Sequence, residues 1–462
     1  MPLRDIALTA VIGALLLLVF KQPVVGAYLW AWLSLMNPHK MTFGFAFSLP
    51  FAQLAAIVTL LVFLTTRKRW ALPRSPIVGL LLAFIVWMSI TSPFAIAPRD
   101  DVIDRWVFVI KIQVMLFVTW MLVTEAKQLR TLIWVVTLSV AYFGIKGGVW
   151  TVMTGGGGRV WGPPGGMLEG NNELAVGLVM LLPMLYFLRQ TEPRLWLRKL
   201  LLFFMVMTAF SILGSQSRGA LLALLAMTFF LGLKGKYPVR SSLGLLVGVA
   251  LAIGFMPDSW NARMDTIRTY EDDGSAMSRL WTWQTMLNAA LDRPFVGAGF
   301  AADNLIVFSL YAPQGGEWDR FSGLVYVAHS IYFQVLGEHG FVGFGLFLGL
   351  GLTTWFTAGG IARRTTGDAE FGDWMPLLMR MVQVSLIGYA AGGSFLSLAY
   401  LDLPYYIIGF VVTCGALLRR RTQQTAAAAA VATSQTAMRE HAQRLAARAA
   451  VRSGTATKGS GK

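Results

Sequence analysis

Cysteine is nearly absent from this chain of 462 residues: Cys414 stands alone, inside an apolar run. That excludes a disulfide framework and a thiolate metal site. Charged residues make up only 13% of the chain, against about a quarter in soluble globular domains, which excludes that class. Histidine occurs four times, with no HExxH or His-x-Glu pattern, so nothing points to a protein-held zinc. The carboxylates that could hold Mg²⁺ at a diphosphate are Asp258, Asp265, Glu271, Asp272, Asp273 and Asp303. They show no DxD-like spacing, and adjacent Asp272 and Asp273 point apart. No metal and no cofactor is expected. A cleavable signal peptide is missing too, because the first apolar run, Ala7 to Phe20, lacks a small-residue cleavage site and continues into Val24 to Met36.

What is present is apolar: 56% of residues are hydrophobic and the mean hydropathy is +0.60. The chain reads as an all-α polytopic membrane protein. Its net charge of +16 would suggest nucleic acid in a soluble domain. Here most Lys and Arg sit in short loops and in the tail, the positive-inside pattern, and no nucleic-acid partner is expected.

Stretches able to cross ~30 Å of hydrocarbon occur at about 49–65, 77–92, 104–123, 128–152, 171–188, 197–213, 218–233, 241–256, 331–358, 376–397 and 402–418. Segment 7–36 is broken by Lys21, Gln22 and Pro23 into two pieces, each short for a full crossing. The clusters Arg67-Lys68-Arg69, Lys127/Arg130, Arg194/Arg198/Lys199, Lys234/Lys236/Arg240, Arg363-Arg364 and Arg419-Arg420-Arg421 belong in the cytoplasm. They alternate correctly only if residue 49 starts outside. With the amino terminus inside, 7–36 then makes one net crossing, giving about twelve spans and two cytoplasmic termini. The expected parts are a bundle of about nine spans over 1–256, an external loop 257–330, membrane helices 331–418 and a basic, alanine-rich tail 419–462. The tail reads as a frayed helix or disorder.

This parity puts three polar intervals on the external side and predicts that they converge: 153–171, the turn Gly214-Ser215-Gln216-Ser217-Arg218, and the loop 257–330. In the last, a helix opens near Ser275 and closes at Pro294, with Leu280, Trp283, Leu287, Ala290 and Leu291 at helical spacing. That amphipathic face lies along the membrane interface or packs on the bundle. Arg279 falls in its first turn, against the positive end of the helix dipole, which suggests an anionic partner. Arg218 stands at a span's edge, where it either snorkels or, with serines before it and glycine after, forms an anion site at a helix N-terminus. Its planar fork suits phosphate oxygens, and two arginines match the two charges of a diphosphate diester.

The glycine-rich interval carries Arg159 and leads to Asn171-Asn172-Glu173, a shaped loop of the kind tolerated where it lines a cavity. Lys146, a turn inside the preceding span, would cost about 2.5–3.5 kcal/mol if central. It should face a polar cavity, either as a ligand group or paired with Glu169 or Glu173. His329 is the candidate catalyst at the external end of 331–358. His339, about 15 Å further along if that segment is one helix, reads as packing. Trp281, Trp283, Trp318 and Tyr326 would line a sugar or lipid groove or anchor the loop at the interface.

His329-Ser330, nine residues, then Gly340-Phe341-Val342-Gly343 resembles the motif of bacterial O-antigen ligases. Ser217-Arg218-Gly219, Ser278-Arg279-Leu280 and Pro294-Phe295-Val296-Gly297-Ala298-Gly299 are similar to recurring elements of the wider ligase and polymerase superfamily. The likeness spans about 140–350. The segment from Gly144-Ile145-Lys146-Gly147-Gly148 to Asn172-Glu173-Leu174-Ala175 resembles the O-glycosylation ligases that accompany exosortase systems.

The resemblance implies a GT-C-like enzyme of the bacterial inner membrane with a periplasmic active site. It would move a glycan, without a metal, from undecaprenyl diphosphate to a hydroxyl of the lipid A-core oligosaccharide. His329 is then the base, Arg218 and Arg279 hold the diphosphate, and Arg159, Lys146 and Asn172 contribute to the donor site. Direct displacement would invert the anomeric centre; a covalent route needs a carboxylate nucleophile, for which the sequence offers no evident candidate. An O-antigen polymerase or a protein O-oligosaccharyltransferase would share this donor. A transporter of lipid-linked oligosaccharide would instead call for repeated halves and mid-span basic residues, and neither is evident.

Overall fold

The computed structural model describes residues 3–66, 70–234, 237–258, 260 and 274–456. Arg67-Lys68-Arg69, Lys236, Asp265, Glu271, Asp272 and Asp273 lie outside the described residues. Among those described, the regular structure is helical, with no strand. The chain divides into two units, Met1–Cys414 and Gly415–Lys462.

The first unit begins with α1 (Leu3–Lys21), α2 (Val24–Met36), α3 (Phe51–Thr65), α4 (Pro76–Thr91) and α5 (Arg99–Leu122). It continues with α6 (Ala126–Met153), α7 (Asn171–Thr191), α8 (Leu195–Gly214), α9 (Arg218–Lys234) and α10 (Pro238–Gly254). Then come α11 (Gly274–Asp292), α12 (Leu305–Tyr311), α13 (Ile331–Thr365), α14 (Trp374–Gly393) and α15 (Asp402–Ala456), the last running on into the second unit. Seven of these, α1, α4, α6, α7, α8, α13 and α15, are long and apolar enough to cross a membrane; α2 and α3 are shorter apolar helices. The expected spans at 218–233 and 241–256 form α9 and α10, at 17 residues each below that length.

Helix α7 is the axis of the unit. Every residue from Leu174 to Leu188 is buried, as a helix apolar on all sides requires. It packs against α8, α9 and α14. Helices α6 and α8 touch backbone to backbone: a Cβ on Gly148 would collide with the Met207 carbonyl, so that crossing needs glycine.

The single net crossing expected for 7–36 does not form. Helices α1 and α2 are a hairpin, turning at Gln22-Pro23. Asp5, in the first turn of α1, accepts a hydrogen bond from the Ala46 N–H at 2.9 Å, in the connection that follows α2. Asn37 and Lys40 of that connection lie against Gly166 and Gly165 of the glycine-rich loop. Tyr28, near the start of α2, donates to the Gln128 carbonyl at the opposite, basic end of the bundle, at 3.1 Å. The start of the chain therefore shares a face with the glycine-rich loop. Arg4 and Asp5 cancel one another in a charge count, while Lys21, at the hairpin turn, falls on the basic face.

Residues 274–330 build a small core of their own around Trp281, with Met277, Phe308 and Phe321. The buried face of α11 is Met277, Trp281, Thr285, Met286 and Ala289. The stripe expected at Leu280, Trp283, Leu287, Ala290 and Leu291 is buried only in part: Ala290 is buried, Trp283 and Leu287 are half-buried, and Leu280 and Leu291 are exposed. Spacing alone allowed either face; packing on Phe308 and Phe321 buries Trp281, and Met286 lies against Gly337 of α13. In the second unit the chain is a helix, exposed from Thr422 to Ala446, with no buried face there.

Candidate active site

The polar intervals do meet. The Val160 N–H donates to the Gly214 carbonyl (3.1 Å), the Asn171 amide to the Ser215 carbonyl (2.7 Å), and Arg159 Nε to Gln216 Oε1 (3.3 Å). This joins the glycine-rich loop to the turn that starts α9. Arg218 is the first residue of α9, behind Ser217, whose hydroxyl accepts from the Ala220 N–H at 3.3 Å. The next residue, Gly219, lies against Phe395, in the connection between α14 and α15. Two residues on, Ser397 reaches His329. This connection, which carries no charge or motif, links the arginine turn to the histidine.

His329 is held in the left-handed region, at φ 46°. A side chain other than glycine costs about 1–2 kcal/mol there, and such strain persists only where the surroundings impose it. Three contacts impose it. The His329 N–H donates to Ser397 Oγ at 2.8 Å. The preceding carbonyl, of Ala328, accepts from Trp283 Nε1 at 2.8 Å, and the Trp283 ring stacks on Phe333 at 5.2 Å. The following residue, Ser330, caps α13. The ring lines a cavity of about 260 Å³ whose walls include Arg105, Met167, Glu173, Asp303, Gln334 and Glu338.

Arg279 stands close enough to His329 and Glu173 for its charge to act on both. It does so from the second turn of α11, five residues after Gly274. The expected dipole conflict is thus weaker, and the arginine's partners are side chains of other elements. Burial, reinforced by the Arg279 charge, pushes the His329 imidazole down to about 4, so the ring is neutral at pH 7.

The two motifs of the ligase-like sequence dock on each other. Gly340 breaks α13 (φ 65°, ψ −171°). The carbonyls this frees are satisfied from outside: Gly337 accepts from the Ala298 N–H (2.7 Å), Glu338 from the Gly299 N–H (2.9 Å), and His339 from Trp87 Nε1 (3.1 Å). The Phe341 N–H in turn donates to the Pro294 carbonyl at 2.8 Å. A Cβ at Gly340 would lie 2.5 Å from the Pro294 and Phe295 carbonyls. The segment 331–358 is thus a helix with a built-in break, and Pro294–Gly299 fills it.

His339 is fully buried. Its Nδ1 lies 2.7 Å from Thr91 Oγ1 and its Nε2 2.9 Å from the Tyr400 hydroxyl, which donates to Glu338 at 2.5 Å. With Tyr400 donating to Glu338, His339 Nε2–H donates to Tyr400. This chain ends on the carboxylate that shares the cavity with His329. Sequence reasoning missed Glu338, because nothing in the pattern shows that one turn of α13 faces the cavity while the next residue is sealed.

The remaining expected residues divide. Arg159 is exposed on the glycine-rich loop, bonded to Gln216, two residues before Arg218 in the chain. Asn172 is half-buried in the first turn of α7, where its neighbour Asn171 makes the tie to Ser215. Lys146 does not face a polar cavity: it is exposed on α6, and among the described residues it forms no ion pair with Glu169 or Glu173. Its flanking glycines pack α6 on α8, which turns the lysine outward. The aromatic residues divide as well. Trp281 is core, and its Nε1 donates to the Pro313 carbonyl at 3.1 Å; Trp318 and Tyr326 pack around that core.

Asp303 lies 3.9 Å from Arg105. Both also line an adjoining cavity of about 460 Å³ with Asp101 and Asp104. Among the described residues no three His, Cys, Asp or Glu side chains group as metal ligands.

Two family descriptions match the chain. Residues 3–193 match a family of unknown function, DUF5935. Residues 200–348, which hold Arg218, Arg279, His329 and the docked glycine motifs, match the family described as O-Antigen ligase. No curated protein matches. The second match and the apolar helices together make this a multi-pass membrane protein of ligase- or polymerase-type glycosyl transfer. Over residues 200–348 the chain is similar to the O-antigen ligase family.

Proposed function

We propose that the protein is an O-antigen ligase of the bacterial inner membrane that transfers a glycan from undecaprenyl diphosphate to a sugar hydroxyl of lipid A-core, with its active site facing the periplasm. The observation that carries this reading is the His329 cavity: a neutral, half-buried imidazole held in a strained backbone, within the field of Arg279. His329 takes the proton from the acceptor hydroxyl as its oxygen attacks the anomeric carbon. The bond from that carbon to the diphosphate oxygen breaks, and undecaprenyl diphosphate leaves with the electron pair. Arg279 and Arg218 stabilise the charge that develops on it, with Arg159 and Asn172 at the edge of the donor site. Direct attack inverts the anomeric centre, and no step calls for a metal.

Donor binding also prepares the base. A diphosphate beside Arg279 offsets the positive charge that holds the imidazole down, so the proton affinity of His329 rises when it is needed. The carboxyl groups of Glu173, Asp303 and Glu338 suit the hydroxyls of an acceptor sugar.

The test is transfer in a purified system, with undecaprenyl-diphosphate glycan, lipid A-core and a chelator. Product from the native chain, and none from His329→Ala or Arg279→Ala, is the expected outcome. Elongation of the lipid-linked glycan with no product on lipid A-core would move the reading to a polymerase. Full activity of His329→Ala would remove the base.

A further inference from the structure

A second cavity, of about 520 Å³, lies between α7, α8, α9 and α10 at the basic end of the bundle, and it shares no residue with the His329 cavity. Its wall is apolar along α8, where Leu202, Val206 and Phe210 follow Arg198 at steps of one turn. From Arg198 to Phe210 that stripe runs about 18 Å. Leu202 and Val206 keep 45% and 43% of their surface exposed, so the stripe opens sideways, where hydrocarbon would lie.

The other end is cationic. Arg189 comes from the last turn of α7, Arg198 from the first turn of α8 and Arg240 from the first turn of α10, with Tyr237 beside them. Among the described residues no carboxylate lines the cavity. The Nε atoms of Arg189 and Arg198 are buried and have no hydrogen-bond partner among the described residues. Buried donors of this kind are costly unless something supplies an acceptor. Two helix N-termini point the same way. Three guanidinium groups around one end of an apolar slot fit one class of molecule, an anionic head on a hydrocarbon tail.

We infer that this cavity binds an anionic phospholipid, its phosphate among Arg189, Arg198 and Arg240 and an acyl chain along the α8 stripe. The site is on the face opposite the His329 cavity and is independent of the proposed transfer. Ordinary snorkelling of arginines to the bulk headgroup layer would leave the slot without a preferred lipid.

Native mass spectrometry of the delipidated full chain, titrated with phosphatidylglycerol and with phosphatidylcholine, tests this. The expected result is about tenfold tighter retention of phosphatidylglycerol. The combined variant Arg189→Gln, Arg198→Gln, Arg240→Gln loses that preference. Gly248, on the slot's wall, has open space where a Cβ would stand, so Gly248→Leu fills the tail region without a clash and weakens phosphatidylglycerol with all three arginines present. Equal retention of the two lipids by the native chain would overturn the inference. So would displacement of phosphatidylglycerol by millimolar inorganic phosphate, which would mark a free-phosphate site, or undiminished retention by both variants.

Discussion

The two ends of α7 carry cavities built by opposite means. At the end marked by Asn171 the walls are connections between helices, and they hold a residue at positive φ, a broken helix and side chains of both charges. At the end marked by Arg189 the walls are regular helices, and among the described residues the charges that line them are arginines. Strain and mixed charge suit a site where bonds change, because groups must be held against their own preferences. Regular helices with one sign of charge suit a site that only holds a ligand. The difference supports the proposed reaction at the first cavity and the inferred lipid slot at the second.

Substitutions at the strained end should therefore cost far more turnover than those at the regular end. His329→Ala should lower transfer by about 10²–10⁴-fold, the range of a general base, in a chain that still reaches the membrane folded. Gly340→Ala should cost about 2–4 kcal/mol of stability, from a left-handed alanine pressed on two carbonyls; a thermal melt in detergent reads it. An unchanged melting temperature would show that the break in α13 is not fixed by Pro294–Gly299. Trp283→Phe keeps the stack on Phe333 and loses the bond to the Ala328 carbonyl. It should cost about 1 kcal/mol, roughly fivefold in kcat, with KM for donor unchanged.

The acidic limb of the pH profile sharpens the comparison further. His329 must be neutral to act, so kcat/KM should rise through about pH 4 and be level at pH 7. In Arg279→Gln one cause of the depression is gone, so the limb moves toward the ordinary histidine value of about 6.5. For the native chain, kcat should show a higher limb than kcat/KM, because bound diphosphate offsets the same charge. Identical limbs in native and Arg279→Gln would separate the arginine from the histidine. The smallest effect on turnover belongs to the triple glutamine variant of Arg189, Arg198 and Arg240, which should transfer at the native rate in detergent.

Much of the polar end was legible in the residues. Arg218 and His329 could be placed because each sits at the edge of a long apolar run, and the glycine motifs because glycine punctuates helices. The loop and turn that were expected to converge are joined by hydrogen bonds from Val160, Asn171 and Arg159. Ser397 and Tyr400 were not legible, since a short connection between two buried helices carries no pattern of its own. Glu338 was hidden inside an apolar segment. Lys146 turns outward because Gly144, Gly147 and Gly148 pack α6 on α8, a choice of helix face that hydropathy alone leaves open.

Composition and the order of apolar runs were enough to determine an all-α chain of membrane helices and the polar intervals between them, because those depend on local hydropathy and helix chemistry alone. The tertiary structure decided the rest. The hairpin of α1 and α2, the buried face of α11 and the left-handed backbone of His329 all depend on contacts between residues distant in sequence: Asp5 with Ala46, Trp281 with Phe321, His329 with Ser397. Each of these was one of two locally permissible states, and long-range packing, which no local pattern encodes, selected between them.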